Sequence, residues 1–167
     1  MSEGKHDIAA VLDEHLASEF ERHDAEATMA TMSEDPHLNH VPLMSGGVGR
    51  DHVRRFYRDT WIPSWGPDTK VEPISRTVGA DQVVDELIVS FTHDRPNEFM
   101  LPGVKPTGRR VELPHAVVVG FRDGLVHHEH IYWDQASLLL QVGLLDPKLA
   151  PMTGAEQAAK LRELARR

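Results

Sequence analysis

GLVHHEHIYWDQASLLLQVG, residues 124–143, is the stretch whose reading decides the fold of this chain. His127, His128, Glu129, His130, Tyr132, Trp133 and Asp134 crowd into eight residues, and the apolar run Leu138-Leu139-Leu140 follows. β-rich residues alternating with polar ones predict a strand over 125–134 with one face turned to a pocket, then a helix over 135–143. Residues i and i+2 of a strand share a face, about 6.8 Å apart. Strict alternation therefore groups Val126, His128, His130, Tyr132 and Asp134 on one face, and His127, Glu129, Ile131 and Trp133 on the other. With Asp134 toward the pocket, a carboxylate, an imidazole and a phenol converge on one cavity.

Asp123-Gly124 is a strong hairpin signal and ties this strand to a preceding one over 109–122. On that strand His115 has the parity of Val111, Leu113, Val117 and Val119, which makes it a proton-relay candidate or a hydrogen-bonded core residue. The loop 94–108, with three prolines and two glycines, is the natural lid or rim. Two earlier strands, 71–79 and 82–93, join across Gly79-Ala80-Asp81. In the second, Glu86 travels with Ser90 and Thr92 and is assigned to the pocket ahead of Asp85, with His93 at the rim.

Nearer the N-terminus the period changes to that of helices. Ile8, Val11, Leu12, Leu16 and Phe20 make one apolar stripe over 4–22, with His15 and His23 read as surface or rim groups. A second helix is predicted over 24–33, with Met29 and Met32 inward, ending at Asp35-Pro36. HLNHVPLM (37–44) reads as a short strand, SGGVG (45–49) as a sharp turn, and 50–61 as a helix through Val53, Phe56, Tyr57 and Trp61. A loop containing Trp65 follows. His40, Tyr57, Trp61 and Trp65 are candidate substrate-binding wall residues, as are Glu86, His93 and His128. A last helix, 154–166, carries Ala158, Leu161, Leu164 and Ala165 on one stripe. Helices first and consecutive strands afterwards indicate an α+β domain: a cone-shaped barrel of curved antiparallel sheet packed with N-terminal helices. The expected domain covers 1–146, with 147–167 as linker and helical extension.

Composition narrows the function. At 167 residues and 40% hydrophobic the chain suits one globular domain. A formal charge of −8 opposes general nucleic-acid binding, which draws on phosphate neutralisation. Absence of cysteine removes disulfides, thiol nucleophiles and thiolate metal sites. No apolar run approaches the ~20 residues of a membrane span, and MSEGKHDIAA lacks the order of a secretory signal. The expectation is a cytoplasmic protein without nucleic-acid or membrane partners. SGGVG matches neither phosphate-binding glycine pattern, and Ser45 lies in no GxSxG elbow.

PGVKPTGRRVELPHAVVVGFRDGLVHHEHIYWDQASLLLQVG (102–143) resembles the C-terminal half of the SnoaL-like polyketide cyclase group. Shared features are a G-x-x-PTGR segment, a D-G hairpin, a strand ending in Asp and a leucine-rich helix closed by Q-x-G. SGGVGRDHVRRFYRDTW resembles the group's glycine turn and following helix. The resemblance implies the nuclear transport factor two-like fold, which also houses ketosteroid isomerase, scytalone dehydratase and limonene epoxide hydrolase. It implies a small-molecule substrate, cofactor-free acid–base chemistry on an enolisable carbonyl compound (cyclisation, isomerisation or dehydration), and a homodimer paired through its sheet. Asp134 takes the acid–base position, with His130 and Tyr132 as donors or orienters and His115 as relay. The group usually has E-H-W where this chain has His128-Glu129-His130, a more titratable triplet.

Three alternatives stand beside that reading. Asp134 ahead of an apolar helix is also a common N-cap. His128-x-His130, completed by His115 or Glu86, has the form of a metal site on a strand, although no metal is expected. A non-catalytic binding or dimerisation module would use Ile131 and Trp133 on an outward apolar face. Epoxide hydrolysis would need a carboxylate–Arg–carboxylate relay, for which Arg76 and Arg122 are the arginines nearest strand interiors.

Overall fold

In the computed structural model, which describes residues 7–167, the chain opens on a capped helix. The Asp7 carboxylate accepts from the Ala10 N–H at 3.1 Å, satisfying a donor that the first turn leaves free. Helix α1 runs Ile8–Phe20; positions 4–6 of the expected helix lie outside the described residues. Asp24 caps α2 (Ala25–Ala30) in the same way, accepting from the Glu26 and Ala27 N–H groups.

Strand β1 (Met32–His40) begins where the sequence predicts the end of a helix. Pro36 therefore lies inside a strand, in the irregular stretch between the Met32 and His37 pairings to the neighbouring strand. A broken ladder does not need the N–H that proline lacks. The Pro36 carbonyl instead accepts from Gly49 N–H at 2.8 Å. Strand β2 (Ser45–Val48) folds back on β1, with Asn39 opposite Gly46. A Cβ on Gly46 would lie 2.0 Å from the Leu38 carbonyl oxygen, so this strand position accepts only glycine, and the sharp turn read at 45–49 falls instead at 41–44.

Helix α3 (Arg50–Phe56) continues through a π turn, Tyr57–Trp61, and a 3₁₀ turn, Ile62–Ser64. Its first residue, Arg50, donates to three main-chain carbonyls, those of Met32, Ser33 and Met29, at 2.8–2.9 Å. Charged donors to carbonyls contribute about 1.5–3 kcal/mol each in favourable cases. Arg50 is only partly buried, and water replaces some of these donors. Arg50→Ala is thus expected to cost about 2–3 kcal/mol in urea unfolding, the worth of about one such bond, by releasing the α2–β1 corner. A loss within about 0.5 kcal/mol, the range of ordinary surface changes, would remove this account.

Strands β3 (Lys70–Val78), β4 (Gln82–Thr92), β5 (Arg110–Arg122) and β6 (Leu125–Trp133) complete the sheet. The order is β2-β1-β6-β5-β4-β3, antiparallel throughout except for the parallel β1–β6 pair. Register shifts break the ladders in β1–β6, β3–β4 and β5–β6, and such bulges bend and twist the strands that carry them. The result is a curved six-stranded sheet with α1 across its concave face, the α+β architecture expected.

Helix α4 (Gln135–Gln141) follows β6. Helix α5 (Glu156–Ala165) lies against the outside of the sheet, where Arg162 bonds Glu72 on β3 and Glu112 on β5 at 2.6 and 2.9 Å. It buries Ala158 and does not reach the concave face. No helix among the described residues is long and apolar enough to cross a membrane.

Candidate active site

The concave face holds a cavity of about 50 Å³. Leu12, Leu16 and Phe20 of α1 close one side, and Trp61, Trp65 and Phe99 line it with Trp133 of β6. These rings meet mostly edge-to-face, for instance Trp65 with Phe91 at 5.3 Å and Trp61 with Trp65 at 5.5 Å. Phe99 comes from the loop expected to be a lid. That loop is docked: Phe99, Met100 and Leu101 are buried, Ser45 Oγ donates to the Phe99 carbonyl, and Gln135 holds the Met100 carbonyl.

Into this apolar cup come a few polar groups: Glu19, Glu129, His40, His115 and Asp85. Glu19 and Glu129 meet at one imidazole. His15 Nε2 lies 2.5 Å from Glu129 Oε1 and 3.1 Å from Glu19 Oε1, all three side chains being buried. Thr31 fixes the ring. Its hydroxyl donates to the Thr28 carbonyl, so it accepts from His15 Nδ1–H at 2.6 Å, and Nε2 is left to face the two carboxylates. The Glu129 Oε1 contact is close yet not aligned as a hydrogen bond, while Oε2 accepts a long one from the Tyr57 hydroxyl at 3.4 Å.

Opposed forces set the charges here. Burial alone would lower the His15 pKa, but Glu129 and Glu19 override it and hold it up at about 10. Burial works to raise both carboxyls. For Glu129 the imidazolium wins and the pKa lies below the usual range; for Glu19 burial wins and the pKa lies above it. His40 and His115 are pushed by burial down to about 4 and stay neutral. Each gives its Nδ1–H to a main-chain carbonyl, that of Ser45 at 3.2 Å or Leu113 at 2.8 Å, so the bare Nε2 is the acceptor. The ligating atoms of His15, Glu19 and Glu129 lie within 4.8 Å of one another, close enough to hold a divalent cation.

A family model described as a SnoaL-like domain matches residues 12–129. The chain belongs to the SnoaL-like family. Among solved structures, AclR, a putative hydroxylase from Streptomyces galilaeus, is 21% identical with a TM-score of 0.65, covering 95% of this chain and 96% of its own. TsrD from Streptomyces laurentii is 19% identical with a TM-score of 0.66, covering 83% and 96%. A putative SnoaL-like polyketide cyclase from Jannaschia sp. CCS1 is 18% identical with a TM-score of 0.65, covering 82% and 94%. These likenesses show the nuclear transport factor two-like fold. No curated protein matches the sequence.

Within this SnoaL-like cup the faces of β6 are the reverse of those expected. Gly120 pairs with His128 and Phe121 with Val126, which leaves His127 as an extra residue in a bulge. One extra residue exchanges the faces of everything after it. Val126 stays inward, but Glu129, Ile131 and Trp133 now join it, and His128, His130 and Tyr132 turn outward. Ile131 and Trp133 accordingly do not form an outward apolar face.

Asp134 lies outside the cavity. It caps α4, accepting from Ser137 N–H at 3.1 Å, and also accepts from Gln157 of α5 at 2.7 Å. Asp134→Ala should cost about 1 kcal/mol by loss of the cap while leaving turnover unchanged. A catalytic defect without a stability loss would reverse that assignment.

His115, His40, Trp61 and Trp65 line the cavity as expected. Tyr57 is buried behind it, on the His15–Glu129 pair. On β4 it is Asp85 that faces in, whereas Glu86 points away and accepts from Ser75. His93 is buried at the end of β4 and ties down the 94–108 loop through Thr107. Arg76 stands between Asp85 (2.6 and 2.7 Å) and Asp13 (2.6 Å), a carboxylate–arginine–carboxylate chain. Only Asp85 of the three lines the cavity, so the chain straps the sheet edge to α1.

His15, Glu19 and Glu129 are the residues that sequence reading missed, Glu129 because plain alternation put it on the outer face. Ile8, Leu12, His15 and Glu19 follow a 4-3-4 spacing, one helical face, and all four are buried. That spacing was the available signal.

Proposed function

We propose that the cavity carries out cofactor-free acid–base chemistry on a small enolisable carbonyl compound, with cyclisation, isomerisation or dehydration as the outcome. Glu129 acts as the base, Glu19, whose carboxyl is pushed upward by burial, as the proton donor, and His15 couples them. The observation that carries this reading is the pair of buried carboxyls on one imidazole whose pKa values are driven apart. Such divergence separates acid from base in one site. Neutral His40 and His115 offer acceptors to orient a hydroxyl or enol, and the aromatic walls raise the strength of each polar contact by excluding water.

Size supports a small substrate. At about 50 Å³, against about 10–15 Å³ needed for one water, the cavity has room for a few waters. A polycyclic compound would have to displace several packed rings; a small carbonyl compound displaces fewer. The homodimer and the cytoplasmic location expected from sequence belong to this proposal too, the first being checked by light scattering.

The test needs no knowledge of the natural substrate. A panel of small 1,3-dicarbonyl and cyclic ketones in D2O, followed by proton NMR, reads α-proton exchange directly. Exchange above the buffer rate, unaffected by a chelator, is the expected result. No exchange across the panel in the presence of tight binding would favour a binding module. Exchange lost on chelation would favour a cation at His15, Glu19 and Glu129.

A further inference from the structure

The outward turn of β6 assembles something the pocket does not use. His128 and His130 meet His37 of the parallel neighbour β1, with His127 of the bulge at the edge. His37 Nε2 and His130 Nε2 are 2.9 Å apart. The His128 ring is stacked on both partners, with centroids 5.1 Å from His37 and 4.6 Å from His130. His127 stands edge-on to His37 at 5.9 Å, its Nδ1 engaged by Ser33 Oγ at 3.0 Å. All four rings are half-buried on the outer sheet face, away from the cavity. Room for the stack comes from Gly120, where a Cβ would run into the His128 ring at 2.0 Å.

We infer that this four-histidine cluster is a binding site for one divalent transition cation of the zinc, nickel or copper class. Imidazole nitrogen is the donor that suits these ions, and the cluster presents it from two adjacent strands. Two imidazoles on one tetrahedral zinc, each about 2.0–2.1 Å from the metal, hold their nitrogens roughly 3.3 Å apart. The His37–His130 pair needs to open by only a few tenths of an ångström to reach that span. His37 and His130 are the pair already in place; His128 tilting out of its stack would bring a third nitrogen and His127 Nε2 a fourth. The group already converged among the described residues is, by contrast, His15, Glu19 and Glu129. Asp35 beside His37 contributes a field that favours a cation.

The experiment titrates tag-free, full-length protein with zinc chloride and, separately, nickel sulfate by calorimetry. Histidine ring proton signals are followed by NMR for the zinc arm. One saturable ion per chain is expected, with the rings of His37, His128 and His130 perturbed and a rise in thermal midpoint with metal concentration. His37→Gln/His130→Gln should lose saturable binding, and His130→Gln alone serves if the double variant does not fold. Glu19→Gln should bind as the native chain does, because it disturbs only the other ligating group. Absence of saturable binding overturns the inference. So does binding that survives removal of His37 and His130 and vanishes in Glu19→Gln, since the ion would then sit in the cavity.

Discussion

Glu129→Gln is expected to slow α-proton exchange by 10²- to 10⁴-fold, the usual contribution of a positioned acid–base group. Glutamine keeps the shape of the side chain and an acceptor for the Tyr57 hydroxyl, but cannot take a proton. Glu129 is buried, lines the cavity, and has a carboxyl held below its usual pKa by the His15 imidazolium against the pull of burial. It is therefore ionised at neutral pH. Glu19→Gln should slow exchange less, because the amide still donates a hydrogen bond where the protonated acid did. Asp134→Asn provides the contrast and should exchange at the native rate. Full activity in Glu129→Gln together with its loss in Asp134→Asn would show that the base had been placed on the wrong residue.

His15→Ala should destabilise the fold by about 3–5 kcal/mol, the cost of stranding one member of a buried ion pair. Adding Glu129→Gln should restore part of this, since the charge left stranded is then gone. A double-mutant cycle in urea measures the coupling. The pH dependence gives an independent check. His15 has a folded pKa of about 10 against an ordinary 6.5, so its contribution is complete below pH 6.5 and is lost as pH rises toward 10. Glu129, shifted downward, contributes above its ordinary 4.5 and loses that contribution as acid brings pH through its lowered value. Glu19, shifted upward, runs the other way and costs stability once pH passes 4.5. Between pH 7 and 10 the native chain should weaken while His15→Ala stays flatter; parallel curves would dismiss the pairing.

Much of this architecture is legible in the residues, because period and turn chemistry are local. The Asp123-Gly124 hairpin is a turn with positive φ at both positions, as its sequence predicts. The parity of His115 with Val117 and Val119 places it correctly on the cavity wall. What misled is non-local. Nothing in VHHEHIYWD marks His127 as the unpaired residue, because a bulge is decided jointly with β5 and β1. The polar neighbours Ser90 and Thr92 favour Glu86 from sequence, yet it is Asp85 that faces in, held there by Arg76 on β3. His15 and Glu19 look like solvent-side groups until a third charged residue, 110 positions past Glu19, arrives to share their burial.

The single extra residue at His127 separates two histories. A strand is a two-letter message in which every odd position addresses one audience and every even position the other. Deleting His127 would restore plain alternation from Val126 through His128 while Glu129, Ile131 and Trp133 kept their inward address. The cup would survive and the outer cluster would lose its edge ring. Insertion of another residue just after His128 would do the opposite, sending His130 and Tyr132 inside and Glu129 out. Lineages that gain or drop one residue at this point can therefore rewrite the pocket wholesale, or edit the outer face alone, without touching any other strand.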